Sequence, residues 1–264
     1  MKIPVLTYHS TNISGNEYHN NDHIALKSDL DEISKQGFNI LSAHDLVRWI
    51  KSEINLDNKK KYVVLTFDDG VMLDYSDWNH PQFGFQRSFF NILKEYNGYI
   101  HATSFVIASP KDRKLLEKTC MGGHPIWHDD WWQKAEDSQL ISIENHSWDH
   151  LHPTLKNVAQ KQNLKGNFQY IDSFEDAEKQ IKHASLYINS QLNSKKTQLF
   201  AYPCGEYNQY LIDDYFPQQQ DEILAAFSCE PEHASKCSNV WKIPRYMCGL
   251  HWKNKKEFTK IIQN

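Results

Sequence analysis

The sequence predicts an α/β fold, specifically a distorted (β/α)7 barrel, and three observations carry that reading. Short apolar, β-rich runs alternate with stretches of helical periodicity. About seven such units follow one another in 264 residues without a linker or an internal repeat. Several of the apolar runs stop abruptly at polar or turn-forming residues. Strands separated by helices pair in parallel, and seven units in a chain of this length suit closure into a barrel, so residues 1–264 read as one domain.

Lys2 to Tyr8 is the first expected strand, and Gly37 to Leu41 the second. Between them lies an amphipathic helix with Ile24, Leu26, Leu30 and Ile33 on or near one face. Ser42-Ala43-His44-Asp45 starts another helix. Tyr62 to Phe67 is an apolar run stopped by Asp68-Asp69-Gly70, a buried strand ending in a tight turn. A helix is expected over Phe85–Tyr96, then strands over Ala102–Ile107 and Leu140–Glu144. From 172 to 193, Phe174, Ala177, Ile181, Ala184, Ile188 and Leu192 recur at helical spacing behind Ser173 as N-cap, with Asp176 three residues on. Strands over Gln198–Tyr202, Ile223–Phe227 and Val240–Ile243, a weaker helix near Asn208–Tyr215 and a charged C-terminal helix complete the pattern. The polar stretches Lys51–Lys61 and Gln160–Gly166 read as surface loops.

Composition narrows the function. With 40% hydrophobic and 23% charged residues the chain can bury a core. Lys plus Arg number 29 against 33 Asp plus Glu, a net charge of -4, so no electropositive footprint for nucleic acid exists. No run of about 18 apolar residues marks a transmembrane segment, and the opening residues lack the features of a signal peptide. Five cysteines without a C-x-x-C pair argue against a disulfide framework and fit a reducing compartment. The excess lies in rings, with 14 His, 8 Trp, 13 Tyr and 13 Phe, which suits a metal site or a carbohydrate groove.

Three expected strand ends carry the chemistry: Asp68-Asp69, His146 with His150, and Tyr202-Pro203-Cys204-Gly205. In a barrel such ends share one rim. Two imidazoles four residues apart, with one carboxylate from another element, form a three-ligand set with open positions, as catalytic zinc sites do. The second carboxylate is then free to take a proton. Each piece alone is weak, since D-D-G is usually a solvated turn and H-x-x-x-H arises by chance in a His-rich chain. Their combination at separate strand ends is the signal.

These residues resemble a known family. Thr66-Phe67-Asp68-Asp69-Gly70 and His146-Ser147-Trp148-Asp149-His150 match the T-F-D-D-G and H-[ST]-x-x-H motifs of polysaccharide deacetylases with the NodB-homology fold, carbohydrate esterase family 4. Ala201-Tyr202-Pro203-Cys204-Gly205 is similar to their third motif, R-x-P-[FY]-G. The resemblance spans about residues 3 to 250. It implies metal-dependent removal of an acyl group, usually acetyl, from an amino sugar. It implies Asp69, His146 and His150 as ligands of one divalent metal ion, Zn2+ first, Asp68 as general base, and the main-chain N–H of Cys204 as oxyanion donor beside Tyr202.

Leu6-Thr7-Tyr8-His9-Ser10 resembles the N-terminal Y-H motif of the circularly permuted subfamily that deacetylates poly-N-acetylglucosamine, which makes His9 the expected general acid. His251 is the positional alternative in the common order. The third motif's Arg, partner of the base in the family, is Ala201 here. Arg245 at the end of a late strand is the candidate to supply the guanidinium from another direction.

Trp148, between the two ligand histidines, is the expected groove wall. The aromatic insertion 121–132 offers Trp127, Trp131 or Trp132 for stacking and His128 or Asp130 for a charged substituent, against a plain core role for the Trp-Trp pair. The substrate class is an N-acylated amino-sugar glycan or a precursor of one. The cysteine pattern and the plain N-terminus favour a cytoplasmic site of action, with a periplasmic or secreted one where an export segment precedes the chain. Two other readings stand beside the deacetylase: an amidase on a non-sugar amide, and a glycan-binding module on an impaired deacetylase scaffold.

Overall fold

The computed structural model describes residues 1–152, 168–193 and 195–263. Its strands are β1 (Val5–Tyr8), β2 (Phe38–Ile40), β3 (Lys61–Phe67), β4 (Trp78–His80), β5 (Gly84–Gln86), β6 (Ala102–Val106), β7 (Ile141–Asn145), β8 (Leu199–Ala201), β9 (Ala225–Phe227) and β10 (Tyr246–Met247). The main sheet runs in the order β10-β1-β3-β6-β7-β8-β9, with β2 pairing the start of β3. Every pairing in it is parallel. The seam between β9 and β1 is spanned by one irregular segment. Ile243 bridges to Phe227 of β9, and three residues on Tyr246 pairs with Leu6 of β1. The sheet is thus curled into a distorted barrel, as the sequence predicts.

The helices follow the expected logic of cap and face. In α1 (Asp22–Lys35), Asn21 caps by accepting from the His23 N–H, and Ala25, Leu26, Leu30 and Ile33 are buried, while Ile24 turns out to solvent. Ser42 caps α2 (Ala43–Ile50), and Ser109 caps α4 (Pro110–Cys120), with Pro110 at its first turn. Ser173 caps the helix that begins at Phe174, as its spacing from Asp176 predicts. That helix is continuous to Gln191 but takes a π-turn over Glu178–Lys182. Apolar periodicity does not reveal such a turn, because the buried positions Ala177, Ile181, Ala184 and Ile188 keep three- and four-residue spacings across it.

Two expectations fail for local reasons. The helix expected over Phe85–Tyr96 is confined to α3 (Phe89–Leu93), capped by Ser88, because Gly84–Gln86 pairs antiparallel with Trp78–His80 as a hairpin. The strand expected over Val240–Ile243 is a single bridge at Ile243, and Pro244, which has no N–H to give a ladder, breaks the run before β10. The expected loop Gln160–Gly166 lies outside the described residues.

Beneath the rim sit two buried carboxylates with different surroundings. Asp29 of α1 accepts from Tyr8 Oη at 2.9 Å, Trp252 Nε1 at 3.2 Å and Tyr18 Oη, tying β1, α1 and the C-terminal segment together. Among the described residues, the Asp74 carboxyl is met only by the hydroxyls of Ser10 at 2.5 Å and Ser104 at 2.6 Å, and burial pushes it up to about 7.

A carboxyl raised on folding binds its proton more tightly in the native state, so its contribution falls as pH rises from about 4 through 7. Asp74→Asn keeps both contacts, since serine hydroxyls donate or accept. The variant is expected to lose less stability between pH 4 and 8 than the parent by about 2–4 kcal/mol, an upper range. Urea denaturation midpoints across that span, unchanged in their pH dependence, would contradict this.

Candidate active site

The parallel register delivers the candidate residues to one rim. Tyr8 lies opposite Phe67, so His9 and Asp68 leave neighbouring strands side by side, and the Asp68 N–H donates to the Tyr8 carbonyl at 3.1 Å. Asn145 ends β7 opposite Val106, and the His146 N–H continues that pairing to the Val106 carbonyl at 2.9 Å. The loop after β8 brings Cys204, and the seam segment brings Arg245. His9, Asp68, Asp69, His146, His150 and Cys204 line one cleft of about 450 Å³.

Asp69, His146 and His150 converge within it. Asp69 Oδ1 lies 3.8 Å from His146 Nε2 and 3.7 Å from His150 Nε2, and the three donor atoms are all within 4.8 Å of one another. The His146 Nδ1–H donates to the Ala201 carbonyl at 2.9 Å, which fixes the tautomer and leaves Nε2 as a bare lone pair facing the carboxylate. Burial lowers the His146 imidazole to about 4 and lowers His150 too, so both rings stay neutral, the form a metal ligand needs.

Holding these side chains inward strains the backbone. Of the seven non-glycine residues with positive φ among the described residues, five belong here: Asp69, Ser147, His150, Leu151 and Cys204. The strain is offset by close packing and by hydrogen bonds to the loops. Gly70, at φ 66°, lies against Val106, where an added Cβ would meet Val106 Cα at 2.7 Å. Asn145 accepts from the Ser147 N–H and donates to the Ile181 carbonyl and Ser185, while the Trp148 N–H reaches the Gln180 carbonyl. Gln180 and Ile181 are residues of the π-turn. Ser147 Oγ accepts from His150 N–H, and Asp149 accepts from Leu151 N–H, which gives that aspartate a structural task.

Asp68 has a different setting. Arg245 donates to Oδ1 from Nη1 at 2.7 Å and to Oδ2 from Nη2 at 2.8 Å, and both side chains are buried. The guanidinium is completed by the Ser228 carbonyl at 2.9 Å and Thr66 Oγ1 at 3.2 Å. Burial alone would raise the Asp68 carboxyl, but Arg245, with His146 and His9 beyond it, brings it down to about 2. The carboxylate is therefore ionised and held by a bidentate pair, and the guanidinium missing at Ala201 is supplied from the seam.

His9 lines the cleft with its main-chain N–H bound to Asp22 Oδ2 at 2.8 Å, and its buried Nδ1 has no hydrogen-bond partner among the described residues. His251 is not brought to the cleft; its Nδ1 accepts from the Met247 N–H at 2.8 Å within its own loop. Cys204, at φ 56°, lines the cleft, and burial pushes its thiol up to about 11, so the side chain is no nucleophile at neutral pH.

Several expected contacts are corrected. Tyr202 is fully buried among Phe168, Phe200, Tyr207 and Phe216, and its hydroxyl donates to the Trp241 carbonyl, so it braces the loop from below instead of meeting substrate. Trp148 packs half-buried against the core and Tyr187 and is not among the described residues that line the cleft of the triad. Trp131 and Trp132 are core residues, the latter under the Arg113 guanidinium. His128 and Asp130 bond to each other and stand outside the cleft.

The insertion has a role that sequence reading missed. Trp127 lines the cleft and donates from Nε1 to the Asp69 carbonyl at 2.9 Å, holding that strained residue of the triad. The tryptophan is itself fixed by Glu117 on its N–H and by Arg113 on its carbonyl, and Arg113 is in turn bonded to Asp129.

A parallel, curled α/β sheet with an Asp-His-His triad and an ionised Asp at its rim defines a hydrolase of the NodB-like class. A family profile described as polysaccharide deacetylase matches residues 55–215. The chain belongs to the polysaccharide deacetylase family, hydrolases that act on amide bonds of acetylated polysaccharides. Among solved structures, IcaB from Ammonifex degensii superposes with a TM-score of 0.71 at 16% identity, over 99% of this chain and 96% of that one. The Streptococcus pyogenes deacetylase PplD in complex with acetate gives 0.68 at 20% identity, over 100% and 99%. A de-N-acetylase from Aggregatibacter actinomycetemcomitans gives 0.67 at 18%, over 99% and 100%. At these identities the likeness shows the fold. No curated protein sequence matches the chain.

Arg245→Leu leaves the Asp68 carboxylate buried without its cation, a change that typically costs about 3–5 kcal/mol. Chemical denaturation is expected to show a loss of that size. The double variant Asp68→Asn/Arg245→Leu is expected to recover a large part of it, and a double mutant no more stable than the single one would contradict the pairing.

Proposed function

We propose that the chain is a divalent-metal-dependent N-deacetylase of an N-acetylated amino-sugar glycan, with Zn2+ as the first candidate metal. The observation that carries this reading is the triad of Asp69, His146 and His150 beside an ionised, arginine-clamped Asp68 in one cleft. The donor set fits such an ion: two neutral imidazoles, one with its tautomer fixed toward the carboxylate, and one carboxylate oxygen, all close enough to share a centre. Bound there, a divalent metal supplies Lewis acidity toward the amide carbonyl and makes water more acidic.

The chain's own residues do the rest. Asp68 accepts the proton of the attacking water on a lone pair that Arg245 leaves free, and the arginine keeps the carboxylate oriented. The Cys204 main-chain N–H is the donor for the developing oxyanion, which explains why an aromatic side chain is dispensable at that position. His9 carries a proton to the leaving amine, its main chain anchored by Asp22 while its ring stays in the cleft. The retained base and ligand set weigh against an impaired binding module, and the guanidinium at Arg245 answers the loss at Ala201.

Incubation of the zinc-loaded protein with N-acetylated glycans is expected to release acetate. Asp69→Asn is expected to lower bound zinc and activity together, and Asp68→Asn to retain zinc while losing at least a hundredfold in kcat. Absence of acetate release from every glycan, with metal content unchanged in Asp69→Asn, would overturn the proposal. Trp127→Phe removes only the indole N–H from the Asp69 carbonyl, and competitive chelator titration is expected to show zinc affinity weakened about tenfold. Unaltered affinity would remove Trp127 from the support of the ligand.

A further inference from the structure

The pole of the barrel opposite the cleft carries a concentration of lysines that the net charge of the chain hides. β3 begins at Lys61, beside Phe38 of β2, and ends just before Asp68, so its start lies about 20 Å from the cleft, at roughly 3.3 Å per residue. Ahead of β1, Ile3 bridges to Ala234, which sets Lys2 and Lys236 on the same pole. Lys236 Nζ donates to Ser52 Oγ at 3.1 Å, beside Lys51, and Lys59 and Lys60 lead into Lys61. Residues 1–3, 51–61 and 234–238 thus carry six exposed lysines against two carboxylates, Glu53 and Asp57, in a chain of net charge -4.

The patch is held in place on an ordered loop. Ile54 and Leu56 pack that loop onto the core, and Asp57 accepts from the Lys59 N–H at 2.9 Å. Among the described residues, only Lys51 of the six has a carboxylate within reach, Glu53 at 4.0 Å. Lys61 and Lys236 lay their stems over the Phe38 and Trp49 rings, with each ammonium 5.3 Å from the ring centroid. Ammonium groups crowded in this way repel one another, and an anionic surface laid against them relieves the repulsion.

We propose that this pole docks on an anionic lipid surface, with the lysines of residues 51–61 as its centre and the cleft facing away from the bilayer. Lysine ammoniums are point charges on flexible stems, without the fixed fork by which arginine grips one phosphate, so they suit mobile head groups that need no register. The half-buried Ile54 and Leu56 add apolar area between the charges. Docking by this pole leaves the cleft open to solvent, since the length of the strands separates the two. The inference goes beyond the deacetylase reading and does not depend on it, because it concerns where the molecule stands and not what its cleft does.

The test uses the full chain with vesicles of phosphatidylcholine alone and with roughly 30% phosphatidylglycerol, read by flotation at about 0.1 M and about 0.5 M salt. Partitioning is expected to be at least tenfold stronger on the anionic vesicles at the lower salt and to be lost at the higher. Lys59→Gln/Lys60→Gln/Lys61→Gln is expected to weaken it at least tenfold. Lys111→Gln/Lys114→Gln/Lys118→Gln removes the same charge from exposed positions on α4 and is expected to stay within twofold of the parent. Both triple variants are expected to keep the parent's urea midpoint, since every substituted side chain is exposed. Equal binding to the two vesicle types, salt-independent binding, equal losses in both variants, or capture of duplex DNA in place of vesicles would overturn the docking face. Acetate release from a soluble glycan oligomer is expected to stay within twofold when vesicles bind the chain, and inhibition on binding would overturn the orientation. Vesicle binding without acetate release from any glycan would overturn the deacetylase reading and leave the docking face standing.

Discussion

The paired charges of Asp68 and Arg245 are the constraint around which the rim is arranged. Taking two ions out of water costs several kcal/mol each, and only good geometry with every remaining donor satisfied offsets it. Here the guanidinium meets both carboxylate oxygens, the Ser228 carbonyl and Thr66, and it lies over the Phe105 ring at 5.4 Å. Those partners belong to β3 and the turn that ends it, to β6 and to the segment after β9, while the guanidinium comes from the seam. The pair can be satisfied only if the strand ends converge at one point, so the electrostatics of Asp68 and the curl of the sheet are the same requirement seen twice.

Around that point the main chain is bent into conformations that side-chain-bearing residues avoid, and the neighbouring loops carry the cost. Asp69 is held by Trp127, and the loop from His146 to His150 is held by Asn145 and by carbonyls of the π-turn. The helix and the insertion that supply these bonds touch no reacting atom. Their contribution is exactness of placement, since a carboxylate and two imidazoles can share a centre only when their lone pairs meet.

How much of this was legible in the sequence follows from how local each signal is. Asp68-Asp69-Gly70 and His146 with His150 are short patterns at the ends of apolar runs, and the parallel register places them together with no further information. Arg245 could be named as a candidate partner because Ala201 left a gap to fill, but only the fold shows that it reaches Asp68. Tyr202 and Trp148 were misplaced because adjacency to a site residue says nothing of direction. Ala201 and Tyr202 pack in separate clusters, so Tyr202 turns away into the core, and Cys204 reaches the cleft from the positive-φ turn that follows. The hairpin, the π-turn and the two-residue β10 leave almost no periodic trace. Trp127 was visible as an aromatic residue, yet its decisive atom is an indole N–H, about which composition is silent.

The seam has a consequence for how the molecule comes to life. Asp68 and Arg245 are 177 positions apart, and the contact forms only when the chain's last strand docks beside its first. Long-range closures of this kind are paid in loop entropy and come late. A chain folded only through its first nine strands would hold a buried carboxylate with no cation beside it. Assembly of the Asp68–Arg245 pair and the docking of the last strand beside the first are therefore one event, and the pair serves as a report that the curled sheet is complete.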